Sequence, residues 1–203
     1  MSKKPIIVFE GIEGTGKSYH IDKIAKYLKK KNRSFIKIRE PGGNVNSEKI
    51  RKLILNNNST FNKYTDLLLY LSARSENVEL IRKNVGKKII LIDRFSDSTI
   101  AYQHYGMGIK IEFIKTINDF LIKGININFT FLNTVSQRNM RKRLIERKNL
   151  NRYDKFNHNF YKNVQRGFVK ILKKNPKRYM HVNSNLDIKH NEKIILDKIK
   201  NLI

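Results

Sequence analysis

The chain has 203 residues, 39% of them hydrophobic, which is enough for one substantial buried core and predicts a single domain over residues 1–203. It contains no cysteine, so disulfide frameworks and cysteine-ligated metal sites are excluded. The formal net charge is +26, but the lysines are dispersed over helical patterns, so we expect them to solvate the surface and attract small anions, and we do not expect a nucleic-acid partner.

Short β-type runs alternate with helical patterns along the chain. The predicted strands are residues 6–10, 34–39, 88–93, 127–132 and 178–182. The predicted helices lie near residues 17–31, 47–56, 63–84, 97–105, 109–122, 135–147, 155–174 and 188–202. Strands with β-branched interiors, separated by helices, indicate parallel pairing through helical crossovers. The pattern therefore predicts an α/β fold, a three-layer α/β/α sandwich around a five-stranded parallel sheet.

The first predicted strand is also the first apolar run of the chain. It is too short for a secretory signal and ends at Glu10, and no later stretch reaches the length that a bilayer span requires. We therefore expect a cytoplasmic protein with no membrane partner.

A phosphate-binding loop follows this strand directly. The segment GIEGTGKS fits the pattern G-x-x-x-x-G-K-[ST] between a predicted strand and a predicted helix, which is the context that a P-loop requires. Its backbone N–H groups and the helix N-terminus would hold the phosphates of ATP, with Lys17 on the β- and γ-phosphates and Ser18 on Mg²⁺. The predicted ATP-binding residues are Gly11, Ile12, Glu13, Gly14, Thr15, Gly16, Lys17 and Ser18.

The P-loop alone leaves several classes of nucleotide-binding protein open. A GTPase should also carry N-K-x-D and D-x-x-G motifs, whereas the segment NKYTD at 62–66 has one residue too many and D-x-x-G does not occur. The sequence therefore argues against a GTPase.

An acidic residue ends the third predicted strand, and a basic residue follows it. Asp93 would lie beside the P-loop at the carboxyl edge of the sheet, where it could bind Mg²⁺ directly or through water, with Arg94 next to it. The alternative is a strand-end acid that only pairs with a neighbouring base.

Five segments in register give the chain a specific resemblance. FEGIEGTGKS, REPGG, LLLYLSAR, DRFSDSTIAYQ and NRYDKF with the later FYKNVQRGF resemble bacterial thymidylate kinases, which are P-loop nucleoside monophosphate kinases. The resemblance runs from about residue 6 to about residue 184. It implies Mg²⁺-dependent transfer of the γ-phosphoryl group of ATP to dTMP, giving dTDP and ADP for dTTP synthesis, and a homodimer.

The resemblance also implies roles for residues on the acceptor side. Tyr70 would stack on thymine, and Arg74, four residues along the same helix face, would bind a ring carbonyl. Arg39 and Arg94 would bind the acceptor phosphate, and Tyr102 would pack against the deoxyribose. The remaining expected contacts to the acceptor nucleotide are Ser98, Thr99 and Gln103.

The reaction requires cationic side chains from the protein but no nucleophilic side chain, because the substrate supplies the nucleophile. The attacking phosphate oxygen is already anionic, so catalysis depends on positioning and charge stabilisation, and we expect no catalytic role for the five histidines. The P-loop carries no arginine. The resemblance therefore implies that a lid around 146–155 supplies arginines, with Arg143 on ATP. The expected catalytic residues are Lys17, Glu13, Arg94, Arg147 and Arg152.

Some positions depart from the family's pattern. Asn151 replaces the first Asp of an Asp-Arg-Phe-Glu lid motif, which predicts a lost ion pair, and Asn133 replaces a strand-end Asp. His104, Met107 and Asn44 are further departures. Three alternatives stay open: a kinase for another nucleotide or nucleoside, a P-loop ATPase acting on nucleic acid, and a non-catalytic relative.

Overall fold

Five parallel strands form one sheet in the computed structural model, which describes residues 4–147 and 149–203. The strand order is β2-β3-β1-β4-β5, so the chain moves outward from β1 on both sides. The strands are β1 (Ile6–Glu10), β2 (Phe35–Arg39), β3 (Ile89–Asp93), β4 (Phe129–Thr134) and β5 (Tyr179–Asn183). The predicted α/β fold with a five-stranded parallel sheet is confirmed. Residues 1–3 and Lys148, one residue of the predicted lid, lie outside the described residues.

The α-helices fall at the predicted helical patterns. They are α1 (Lys17–Lys30), α2 (Val45–Leu55), α3 (Lys63–Asn84), α4 (Ser96–Thr99), α5 (Ile111–Leu121), α6 (Gln137–Ile145), α7 (His158–Lys174) and α8 (Ile188–Leu202). Helices α3 and α8 keep both predicted ends, and the others are shifted at one or both ends. A π-helix covers Ile100–Gly106, and short 3₁₀ helices cover Arg152–Lys155 and Pro176–Arg178. Side chains cap α2, α3, α6, α7 and α8 at their N-termini, which is why polar residues mark those starts in the sequence.

Apolar residues of β1 pack into a core on each face of the sheet. Ile7 and Phe9 belong to a cluster with α1 and α8, whereas Ile6 and Val8 belong to a cluster with Val78 and other residues of α3. Because both faces are covered, the strand is uniformly apolar and every residue of it is buried. Because β1 is the central strand, the loop that follows it lies at the middle of the sheet's carboxyl edge.

Residues 97–105 are helical, as predicted, but they do not form one α-helix. The segment divides into the short α4 and the π-helix, which crosses α7 closely. A Cβ atom on Gly167 of α7 would lie only 2.4 Å from Cδ2 of Tyr105, so a glycine is needed at this crossing. The wider turn of a π-helix often marks a functional site.

The fourth strand lies two residues further along the chain than predicted. Asn128, expected inside the strand, instead accepts a hydrogen bond from the backbone N–H of Ile6 through its side chain, at 2.7 Å. The strand continues through Asn133, which is fully buried, to Thr134. Because Asn133 and Thr134 are polar, the apolar pattern in the sequence ends before the strand does.

Across residues 4–147 and 149–203, no helix combines the length and the apolar character needed to cross a bilayer.

Candidate active site

A cavity of about 390 Å³ lies at the carboxyl edge of the sheet. Parallel strands end together at this edge, which is where ligands bind in open α/β sheets. Most of the predicted site residues line the cavity: Glu13, Gly14, Thr15, Gly16, Lys17, Ser18, Arg39, Tyr70, Arg74, Asp93, Arg94, Ser98, Thr99, Tyr102, Gln103, Arg143 and Arg147. Gly11, Ile12 and Arg152 do not line it.

The P-loop wraps around the ammonium group of Lys17. Its Nζ atom donates to the carbonyl oxygens of Gly11 and Ile12 at 2.9 Å each. Burial, together with the nearby Arg94, lowers the pKa of Lys17 to about 8. Gly11 has a φ of 137°, and a Cβ atom there would lie 2.1 Å from the carbonyl oxygen of Asn133, so the loop requires glycine at this position. The loop is therefore packed tightly against the end of β4.

Ser18 and Asp93 meet across the P-loop, as the sequence predicts. The Ser18 hydroxyl donates to Oδ2 of Asp93 at 2.9 Å. The other carboxylate oxygen, Oδ1, is buried and has no hydrogen-bond partner among the described residues. A hydroxyl and a carboxylate are ligands that suit Mg²⁺, so this pair fits the ion that the P-loop implies.

Glu13 is a carboxylate inside a loop that binds phosphates, and its role there is to bind an arginine. Arg94 donates to Oε1 of Glu13 at 2.8 Å and to the carbonyl of Gly11 at 2.7 Å, and Tyr102 donates to Oε2 of Glu13 at 2.5 Å. Burial alone would raise the pKa of Glu13, but Arg94, Lys17 and the Tyr102 hydroxyl hold it below its ordinary value. Arg94 adopts a left-handed backbone conformation, with a φ of 67°. The carboxylate thus fixes a cation at the cavity wall.

Glu10 holds the turn after Arg94, a role that no sequence motif predicts. Its Oε1 atom accepts from the backbone N–H groups of Phe95 and Ser98 at 2.8 and 3.3 Å, and Oε2 accepts from the Ser98 hydroxyl at 2.5 Å. Burial and the neighbouring Asp97 raise its pKa to about 8. An acidic residue ending a fully apolar strand was the signal that could have identified it.

Tyr70 and Arg74 lie on one face of α3, toward the cavity. Arg74 is 1% exposed, and its Nε and Nη2 atoms donate to Glu40 at 2.8 and 2.6 Å. Its Nη1 atom donates to Asn118 at 2.5 Å. Burial raises the pKa of Glu40, although Arg74 opposes that shift. The guanidinium is therefore held in one orientation before any ligand binds.

A second arginine stands near Arg39 on the acceptor side. Arg39 pairs with Glu48 through three hydrogen bonds of 2.9 to 3.0 Å. Arg51 donates to the carbonyl of Pro41 at 2.6 Å and also lines the cavity, although it is not among the predicted site residues. Its position on α2, two turns after the EPGG turn, was the available signal.

The three arginines expected to act on ATP differ in their surroundings. Arg143 donates to the carbonyl oxygens of Gly14 and Ser184 at 2.7 and 2.8 Å, so it braces the P-loop. Arg147, whose side chain is 49% exposed, donates to Asp154 at 2.9 Å. Arg152 instead binds Asp66 and the carbonyl of Ile54, away from the cavity.

The lid keeps an ion pair despite the Asn151 departure. Asp154 pairs with Arg147 and also accepts from the backbone N–H of Asn151 at 2.9 Å and from its side-chain amide at 2.6 Å. The Asn151 side chain in turn caps the 3₁₀ helix by accepting from Tyr153 N–H at 2.8 Å. An amide at 151 therefore builds a local cap where the family pattern has a charge.

Several known proteins similar to this chain share one description. Residues 9–195 match the family model described as thymidylate kinase. Thymidylate kinase of Thermosipho africanus is 40% identical over 169 residues, which cover 82% of this chain and 84% of that protein. Thymidylate kinase of Thermoanaerobacter sp. strain X514 is 34% identical over 200 residues, which cover 98% of each chain.

A solved structure gives the same result at the level of the fold. The crystal structure of thymidylate kinase from Ehrlichia chaffeensis aligns with a TM-score of 0.78 at 31% identity, and covers 97% of this chain and 98% of that one. The chain belongs to the thymidylate kinase family.

Proposed function

We propose that the protein is a thymidylate kinase that transfers the γ-phosphoryl group of ATP to dTMP in the presence of Mg²⁺. One observation carries the proposal: the P-loop residues Lys17 and Ser18 line the same cavity as Arg94, Tyr70 and Arg74. Two anionic nucleotides can therefore meet in one cation-lined site, which is the main requirement of this reaction.

The donor half would hold ATP by its phosphates. Lys17 and the N-terminus of α1 would bind the phosphates, and Arg143, which donates to the carbonyl oxygen of Gly14 in the loop, would lie next to them. Ser18 and Asp93 would hold Mg²⁺, which neutralises charge on the phosphate oxygens.

The acceptor half would hold dTMP by its base and its phosphate. Arg39, Arg51 and Arg94 supply positive charge around the cavity, and Tyr70 and Arg74 supply an aromatic face and a fixed guanidinium. Ser98, Thr99, Tyr102 and Gln103 complete the wall on the nucleoside side. Tyr102 is anchored through its hydroxyl to Glu13, so its ring would limit the space beside the sugar.

The chemistry needs no covalent intermediate. A phosphate oxygen of dTMP attacks the γ-phosphorus of ATP, the bond from that phosphorus to the β–γ bridging oxygen breaks, and ADP leaves with the electron pair. The lid arginine Arg147 is the proposed cation for the transferring group. We further propose a cytoplasmic homodimer, which the family membership supports.

A coupled assay of ADP release tests the proposal directly. Purified protein with ATP and Mg²⁺ is compared on dTMP, dUMP, other monophosphates, thymidine and single-stranded DNA. Rapid turnover with dTMP and little with thymidine is expected, because the phosphate-binding arginines need a monophosphate. ATP hydrolysis that only DNA stimulates would contradict the proposal and favour the nucleic-acid ATPase. No activity with any acceptor would favour a non-catalytic relative.

A further inference from the structure

Arg152 is the one predicted catalytic arginine that lies away from the cavity. Its guanidinium binds the carboxylate of Asp66, while Nε donates to the carbonyl oxygen of Ile54 at 2.8 Å. The rings of Phe61 and Tyr153 lie 5.6 and 5.1 Å from its guanidinium carbon. Only 13% of the side chain is exposed. Arg152 is thus enclosed by the start of α3 and the end of α2.

Asp66 receives two residues of the lid at once. It is 1% exposed and lies in the first turn of α3, four residues before Tyr70. Its Oδ1 atom accepts from Arg152 and its Oδ2 atom accepts from the hydroxyl of Tyr153. A buried carboxylate with two lid partners cannot lose one of them without leaving unpaired polar atoms.

Tyr153 connects this contact to the acceptor side of the cavity. It is 2% exposed, lines the cavity, and packs edge-on against Tyr70 with 5.8 Å between ring centroids. Its ring lies 6.0 Å from that of Tyr102, and its hydroxyl is 3.5 Å from Nε2 of Gln103. A displacement of Tyr153 would therefore disturb three of the predicted acceptor contacts.

We infer that Asp66 is a positioning residue that fixes the 3₁₀ helix Arg152–Lys155 to α3, so that Tyr153 forms a permanent wall of the acceptor site and Arg152 serves as an anchor rather than a contact of the transferring phosphoryl group. The inference rests on the proposed function only where it predicts changes in KM and kcat; the structural part does not depend on it. The half-exposed Arg147 precedes this anchored 3₁₀ helix in the chain and pairs with Asp154 within it.

Two single variants and their double test the inference. We expect Asp66→Asn and Arg152→Met each to raise the KM for dTMP about tenfold, with kcat reduced less than about threefold, because both loosen the same wall. The double variant should resemble either single, since the two residues act through one contact. Glu79→Gln is the matched control, because Glu79 pairs with Arg82 on the same helix but in solvent, and it should change neither constant.

Hydrogen exchange supplies a readout that needs no turnover. Amides of residues 153–156 should exchange faster in Asp66→Asn than in the parent, while those of α8 should not change. If Asp66→Asn fails to fold, Tyr153→Phe removes only one of the two contacts and should still raise the KM for dTMP and the exchange rate of this segment.

Some results would overturn the inference. One is a fall in kcat of about 100-fold for Arg152→Met in both the parent and the Asp66→Asn background, with exchange unchanged, because Arg152 would then act directly on the phosphoryl group. Another is the absence of any change in KM or exchange in the folded variants. If the parent lacks activity on dTMP, the proposed function fails, and the exchange measurement alone decides on the anchor.

Discussion

The buried side chain of Glu10 is protonated differently in the folded and the unfolded chain. Burial and the neighbouring Asp97 raise its pKa from 4.5 to about 8. The folded protein therefore keeps a proton between these values that the unfolded chain has released. The stabilisation is complete below about pH 4.5 and is lost as the pH rises to about 8.

The pH dependence of stability should report this proton. Between about pH 5.5 and 7.5 the free energy of unfolding should fall more steeply in the parent than in Glu10→Gln, by up to about 1.4 kcal/mol per pH unit. Urea unfolding at several pH values measures this slope. The chosen pH range lies below about pH 8, above which the lowered pKa of Lys17 makes the free energy of unfolding rise with pH. Parallel curves for the parent and Glu10→Gln would contradict the assignment, and the exposed Glu79→Gln should leave the slope unchanged.

At this scale the sequence identifies residues better than it identifies their partners. The P-loop spacing predicts Lys17, Ser18 and the preceding glycines, because a phosphate cradle needs those residue types in that order. It does not predict that Glu13 binds Arg94, since 81 residues separate the two along the chain. Arg51 and Glu10 were missed because their only signals are their places in the chain, near the EPGG turn and at the end of an apolar strand, and no motif spacing links either residue to the others.

Elements are predicted where local rules decide them. Strand β1 and helices α3 and α8 have their predicted bounds, since apolar runs, periodicity and cap residues agree there. The π-helix was not predictable, because its wider turn accompanies a crossing with α7 that no local pattern shows. Arg152 is a similar case, since its partner Asp66 lies 86 residues earlier in the chain.

The crossing of the π-helix and α7 should be intolerant of added volume. Gly167→Ala would place a Cβ atom 2.7 Å from Cγ of Tyr105. Alanine normally favours a helix, but overpacking should dominate and destabilise the protein by about 1–2 kcal/mol. Urea unfolding measures the change. The exposed Asn163→Ala on the same helix is the control, and a Gly167→Ala protein as stable as the parent would show that the crossing can widen.

The lid should supply its catalytic charge through Arg147. Replacing it with methionine should lower kcat by about 10³-fold, because an arginine on the transferring phosphoryl group has an effect of that size. Arg141→Met, an exposed arginine on α6, is the matched control and should keep kcat. A loss below tenfold in steady-state assays would remove Arg147 from the reaction.

Over the whole molecule, charge dominates the approach of ligands. A formal charge of +26 on 203 residues should draw nucleotides toward the cavity at low salt. We expect kcat/KM for dTMP to fall severalfold between about 50 and 300 mM KCl, while kcat at saturation changes little. Sucrose at matched osmolality is the control. A kcat/KM that is independent of salt would show that the surface charge has no part in substrate capture.

The global arrangement follows from the sequence only in part. Alternating strands and helices predict parallel pairing and one sheet. The strand order depends on the side of β1 to which each later strand is added, and no residue pattern predicts that side. The site could be predicted as a set of residues because they match a family pattern in register. Their convergence on one cavity required the fold.

The left-handed backbone of Arg94 has a consequence for engineering the protein. Such a conformation costs about 1–3 kcal/mol for any residue with a side chain, and glycine alone adopts it freely. Glycine at position 94 would relax the backbone, but it would leave the buried carboxylate of Glu13 without its cation. Breaking a buried ion pair from one side costs about 3–5 kcal/mol, which is more than the relaxation returns. The arginine is therefore needed for the stability of the folded chain as well as for the site, and exchanging it for glycine should lower the melting temperature and the turnover together.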